Sequence, residues 1–194
     1  MTGLLHVPAG YSPSRPAPLV VLLHGAGSDE RSGLGPLAGL ADDAGLLLLA
    51  PKSHGRTWDG ILDEFGPDVA AIDALLGHLF ERFAVDSSRL AVGGFSDGAS
   101  YALGLGLANG DLFSHLIAFS PGFVPSERRR GRPQVFVSHG VEDAVLPIGR
   151  SSRLIVPSLR RDRYSVSYRE FDGGHRVPPE VARAAVAWMT RRGG

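Results

Sequence analysis

Cysteine is absent from all 194 residues. That excludes a disulfide scaffold, a thiolate zinc site and a cysteine nucleophile, and it leaves the redox compartment open. Net charge is absent too. The 20 basic and 20 acidic side chains cancel, so no overall field draws the chain to nucleic acid or to an anionic membrane. Long apolar runs are missing: Leu46 to Ala50 falls far short of the roughly 20 residues that a membrane span needs. The segment from Met1 to Pro8 has neither a basic start nor an apolar stretch, so it does not read as a signal peptide. No internal repeat or linker breaks the chain. A cytoplasmic protein without a membrane span is the expectation, and nothing in the sequence speaks to its oligomeric state.

What is present is an ordinary globular balance, 43% hydrophobic and 21% charged. The length suits one domain over residues 1–194 with a substantial core. Short, wholly apolar runs alternate with segments of helical period. Leu19–Leu23, Leu46–Ala50, Leu90–Val92, Leu116–Phe119 and Val135–Val137 lack the polar alternation of a half-exposed strand. They read as strands of a parallel sheet covered on both faces. Ser165–Phe171 alternates more and suits a strand nearer an edge.

Helices are expected over Leu34–Ala44, Asp68–Phe83, Ala99–Ala108 and Pro179–Arg191. The second carries an apolar stripe from Val69 to Phe83 and starts after Pro67. The last has arginines in its final turn, which would complement the helix dipole. Between Ile148 and Arg163, Pro157 predicts a kink or two short pieces. The alternation implies an α/β fold, a three-layer α/β/α sandwich around a mostly parallel sheet.

The chemistry concentrates at Gly94-Phe95-Ser96-Asp97-Gly98, placed between a strand and a helix. A serine on so sharp a bend takes strained backbone angles, and side chains two residues to either side would collide, hence the flanking glycines. The helix that follows turns its free N–H groups toward the serine. A serine hydroxyl needs a base, and the base needs an orienting acid. Both are expected after the serine, on loops at the carboxyl ends of parallel strands. Asp143 follows the strand around Val135, with Glu142 as the alternative acid. His175 follows the strand that ends at Phe171, and Asp172 is read as shaping the turn before it. Among the other histidines, His24 and His139 each precede a glycine at a strand end and are read as loop-structuring. His6, His54, His78 and His115 are assigned to surface or core.

Leu23-His24-Gly25-Ala26-Gly27 places a glycine-rich turn after the first long strand. The N–H of Ala26 or Gly27, with that of Asp97, would receive a developing oxyanion. The turn lacks the third glycine and the lysine of a phosphate-binding loop. His54 and Asp59 alone do not make a metal site, and the basic run Arg128–Arg130 with Arg132 reads as solvated surface.

Taken together, Leu23-His24-Gly25, Gly94–Gly98, His139-Gly140 through Asp143 to Pro147, and Gly173-Gly174-His175 resemble the phospholipase/carboxylesterase group of α/β-hydrolases. That group includes the acyl-protein thioesterases and many bacterial esterases. The resemblance spans about Leu19 to Trp188. It implies an α/β-hydrolase fold, a triad of Ser96, Asp143 and His175, and oxyanion donors at Ala26 and Asp97. Two positions depart from it: Asp97 stands where the family usually has glutamine, and Ala99 where it has glycine. A carboxylate beside the oxyanion would oppose catalysis unless it turns away or is paired.

The stretch from Ser120 to Pro133 is too short for a lid, so an open site is expected. Gly25 and Gly27, with Trp58, Ile61, Leu62 and Phe123, are the expected substrate contacts; the other reading of Trp58 is that it packs its loop down. The function read from these residues is hydrolysis of small carboxylic esters, or of thioesters, without metal or cofactor. The contrasting reading is a binding protein that keeps the fold and turns over slowly or not at all.

Overall fold

The computed structural model describes residues 2–62, 64–126 and 128–191, except the side chain of Leu62. Seven strands form one sheet: β1 Gly3–His6, β2 Ala17–Leu23, β3 Leu47–Pro51, β4 Val85–Phe95, β5 His115–Phe119, β6 Gln134–Gly140 and β7 Val166–Phe171. Their order across the sheet is β1-β3-β2-β4-β5-β6-β7. Every pairing among them is parallel except β1 with β3.

The wholly apolar runs fold as their lack of alternation requires. In β2, Leu19, Val21 and Leu23 face one hydrophobic cluster, while Val20 and Leu22 face the other. The first cluster is covered by α4 (Pro67–Phe80), α5 (Asp97–Ala108) and α6 (Ser152–Arg161), through Ile72, Leu76, Leu103 and Ile155. The second is covered by α1 (Glu30–Ala38), α2 (Ala41–Ala44) and α7 (Pro179–Thr190), through Leu37, Ala41, Val181 and Ala185. This is the three-layer α/β-hydrolase architecture.

Several boundaries differ from expectation. The N-terminal strand β1 was not anticipated; four half-exposed residues on an edge carry too little pattern to find. The single helix expected over Leu34–Ala44 is two, separated at Gly39 and Leu40. Pro157 does not split its segment: α6 runs through it. The interruption falls earlier, at Ser151, between a 3-10 turn over Ile148–Arg150 and α6. Pro157 lies on the exposed face of α6, where the carbonyl that its ring deprives of a donor has water available. Helix α7 ends at Thr190, so Arg191 follows the last turn instead of lying in it. No described residue from Pro121 to Pro133 belongs to a helix or named strand, so no lid helix is inserted there among the described residues. Among the described residues no helix is long and apolar enough to cross a membrane.

Candidate active site

Ser96 stands between β4 and α5 with φ 58° and ψ −121°. For a side-chain-bearing residue this conformation costs roughly 1–3 kcal/mol, and the surrounding packing holds it. The Ser96 N–H donates to the Phe119 carbonyl at 3.0 Å, and the Ser96 carbonyl accepts from the Ala99 and Ser100 N–H groups at 3.0 Å. A Cβ on Gly94 would meet the backbone of Leu23 and Gly98, and one on Gly98 would run into the carbonyls of Leu23 and His24. The two glycines therefore let the bend press onto β2.

Three distant loops meet at this bend. The Ser96 hydroxyl donates to His175 Nε2 at 2.8 Å. On the other side of the ring, Nδ1–H donates to Asp143 Oδ2 at 2.6 Å. The His175 side chain is 14% exposed, whereas the Asp143 side chain is fully buried. The imidazole thus has one edge open to a substrate and the other anchored in protein. Phe95 packs against the ring at 4.6 Å between centroids. Asp143 Oδ1 accepts from the N–H groups of Val145 at 2.9 Å and Leu146 at 2.8 Å. Burial pushes the Asp143 carboxyl upward. The Leu146 N–H, His175 and the Val145 N–H outweigh that and hold it below the ordinary carboxylate value. Glu142, the alternative acid, has no side-chain bond to His175 among the described residues.

His139 does more than shape its loop. Its fully buried ring lies behind Asp143, with Nε2 at 3.2 Å from Oδ2. Nε2–H donates to the Leu146 carbonyl at 2.8 Å, and Ser152 donates to Nδ1 at 2.7 Å. The ring therefore clamps the loop whose amides orient Asp143. The histidine-glycine pair at the end of β6 was the signal available in sequence, but the partners Leu146 and Ser152 carry no pattern of their own.

This burial has a consequence for acid stability. Desolvation holds His139 below the ordinary histidine value, overriding the Leu146 carbonyl and Asp143, which pull it up. His115 is lowered in the same way, first by burial and then by Arg89. Both rings fold neutral, while in the unfolded chain they take up protons below a pH of about 6.5. Below that pH the unfolded state binds more protons, so stability is full above it and falls as the pH falls toward the lowered values. Asp143 has the same sign in a lower window, its stabilisation being lost only as the pH falls below the ordinary carboxylate range. The thermal unfolding midpoint is expected to drop by several degrees from pH 7 to pH 5. A His115→Asn/His139→Gln variant should lose most of that slope; an unchanged slope would reject the account.

The glycine-rich turn after β2 lies against the same bend. A Cβ on Gly25 would sit 3.4 Å from Cβ of Ser96. The Gly27 N–H is not free, because it donates to the Arg56 carbonyl at 2.7 Å. Ala26 N–H has no acceptor among the described residues, and Asp97 N–H, the first of α5, lacks an intrahelical one. Of the two donors expected on this turn, Ala26 is the available one. His24 fixes the turn from below: Ser53 N–H donates to its Nε2 at 3.2 Å and its own Nδ1–H donates to the Gly25 carbonyl at 2.8 Å.

The substrate contacts expected from sequence separate. Trp58 is a correction. It is fully buried, its indole N–H donates to the His24 carbonyl at 2.9 Å, and its ring packs on His24 and Tyr101. It packs the loop down and forms no pocket wall. Ile61 is half-buried against the same core, and the side chain of Leu62 lies outside the described residues. Phe123 is 44% exposed on the loop after β5. His54 pairs with Asp68 at 2.7 Å, not with Asp59. Asp97 is paired as well: Thr57 donates to its Oδ2 at 2.8 Å. The carboxylate that could have opposed an oxyanion is held by a hydroxyl from the β3 loop, which no spacing in the sequence announced.

The fold is that of an α/β-hydrolase, and the family and relatives of the chain make it an ester-hydrolysing one. A family model described as phospholipase/carboxylesterase matches residues 62–187, and the chain belongs to that family. It is 26% identical over 209 residues to feruloyl esterase C of Emericella nidulans, covering 91% of this chain and 76% of that one. With a probable feruloyl esterase C of Aspergillus oryzae it shares 29% over 152 residues, 74% of this chain and 55% of the relative. Among solved structures, esterase PE8 superimposes with a TM-score of 0.77 at 25% identity, covering 97% of both chains. The function is of the carboxylesterase type, and the ligand-binding alternative is set aside.

Proposed function

We propose that this carboxylesterase is a serine hydrolase in which Ser96 attacks the ester carbonyl, His175 carries the proton and Asp143 orients the imidazole. The observation that supports this reading is the unbroken relay of 2.8 Å from Ser96 to His175 and 2.6 Å from His175 to Asp143. As Ser96 Oγ bonds to the carbonyl carbon, its proton passes to His175 Nε2 and negative charge develops on the carbonyl oxygen. The N–H groups of Ala26 and Asp97 would receive that charge, each being worth about 2.7–4 kcal/mol by analogy with other oxyanion sites. The tetrahedral species collapses as His175 returns the proton to the departing alcohol, leaving an acyl-enzyme on Ser96. Water then attacks with His175 as base, releasing the acid and restoring the serine.

Oxygen esters suit the site better than long-chain thioesters. Cavities of about 920 and 610 Å³ lie away from the triad, and Ser96, Asp143 and His175 line neither of them. A short acyl group is the proposed preference. Gly25, Gly27 and the exposed Phe123 are the proposed rim contacts, and the whole of residues 1–194 is proposed to act as one domain. A fluorophosphonate probe tests the reading. One adduct is expected, on Ser96, lost in Ser96→Ala and greatly slowed in His175→Ala. An active enzyme that resists the probe would overturn it. Para-nitrophenyl acetate, methyl ferulate and palmitoyl-thioester substrates compared side by side test the ester preference.

A further inference from the structure

The two flanks of the site are built differently. Along the sheet the order runs β3, β2, β4, β5, β6, β7. Ser96 follows β4, and the loops after β6 and β7 bring Asp143 and His175 to one side of it. The other side is made by the turn after β2 and the segment after β3. His175 must hand its proton to the departing oxygen, so the alcohol part of an ester belongs on the His175 flank. The acyl part is then left to the opposite flank, beside the turn after β2 that receives the carbonyl oxygen. This placement rests on the nucleophile proposed above.

Arg56 stands on that acyl flank. Its carbonyl holds the Gly27 N–H at 2.7 Å, and its neighbour Thr57 holds Asp97 at 2.8 Å. Residues 56 and 57 are therefore stitched between the two stretches that supply the oxyanion donors. Gly27 has φ 70°, and a Cβ there would lie 3.6 Å from Nε of Arg56. The exposed Arg56 side chain thus passes the turn with its Nε beside Gly27.

Among the described residues, no carboxylate comes within ion-pair distance of Arg56. The two acids nearest the turn in sequence or by contact are engaged elsewhere. Asp29 accepts from Ser32 N–H and hydroxyl, each at 2.9 Å, and Asp97 accepts from Thr57. A guanidinium keeps its charge at any working pH and presents a planar fork that matches a carboxylate. The chain as a whole is electrically neutral, so this cation is a local feature of the rim.

We propose that Arg56 selects esters whose acyl group carries a carboxylate, binding that carboxylate over the oxyanion turn while Ser96 attacks the ester carbon. The measurement is the ratio of kcat/KM for the para-nitrophenyl half-ester of adipic acid to that for para-nitrophenyl hexanoate. The acyl chains match in length, and the adipate carboxylate is too remote to attack its own ester readily. The wild type should favour the half-ester, with a preference that weakens in high salt. Arg56→Gln should lower the ratio about tenfold and Arg56→Glu further, while Arg56→Lys should retain part of it. Equal slowing of both esters in Arg56→Gln would overturn the proposal, because a guanidinium that merely balances Asp97 would act on both alike. An unchanged ratio would overturn it as well. The ratio reads Arg56 whichever hydroxyl attacks, whereas fluorophosphonate labelling reads Ser96 alone, so failure of one is distinguishable from failure of the other.

Discussion

Ser96→Ala should lower kcat about a million-fold, and His175→Ala should do nearly as much, while the double variant should be no worse than either. The expectation follows from the 2.8 Å bond between them. The hydroxyl attacks only as its proton leaves, and the ring is useful only where that proton arrives. Removing either side chain removes the same step. The proposed oxyanion donors are main-chain N–H groups that survive both substitutions, so a residual acceleration of about a thousand-fold or more over water should remain. Steady-state rates with a neutral aryl ester provide the check. Multiplicative losses in the double variant would mean that the two residues act in separate steps, which this geometry does not allow.

Asp143→Asn should cost about ten-thousand-fold in kcat with little change in the fold. Oδ1 of Asp143 accepts two backbone N–H groups, from Val145 and Leu146, while Oδ2 faces His175 Nδ1 at 2.6 Å and His139 Nε2 at 3.2 Å. An asparagine has one oxygen to offer. Placing it toward the two N–H groups turns the amide donors to His175, which must then accept at Nδ1 and carry its proton on Nε2. In that tautomer the ring cannot take the proton of Ser96. Flipping the amide instead opposes two backbone donors with two more. Turnover and circular dichroism together check this: a loss below about tenfold in a folded variant would remove Asp143 from the relay.

The parallel strands were readable because burial on both faces erases polar alternation, and the Leu19–Leu23 run shows this plainly. The meeting of Ser96, His175 and Asp143 was readable through chain order, since each follows a strand that ends at the same rim. Residues that act through single contacts were not. Thr57 reaches Asp97 from 40 positions away in sequence, and His139 supports Asp143 through Leu146 and Ser152, neither of which belongs to a motif. Trp58 remained ambiguous because an indole serves a pocket wall and a loop anchor equally well. Its hydrogen bond to the His24 carbonyl, which decides the matter, is made to main chain and leaves no trace in side-chain pattern.

The proposed base and the proposed nucleophile rest on foundations of unequal strength. Ser96 opens a helix buried from Gly98 to Leu107, whereas His175 hangs beyond β7, an outermost strand paired only with β6. Outer strands open at lower free energy than the centre of a sheet. If His175 is the proton acceptor as proposed, gentle heating would disarm the enzyme by peeling it away while the interior stays folded, and cooling would restore it.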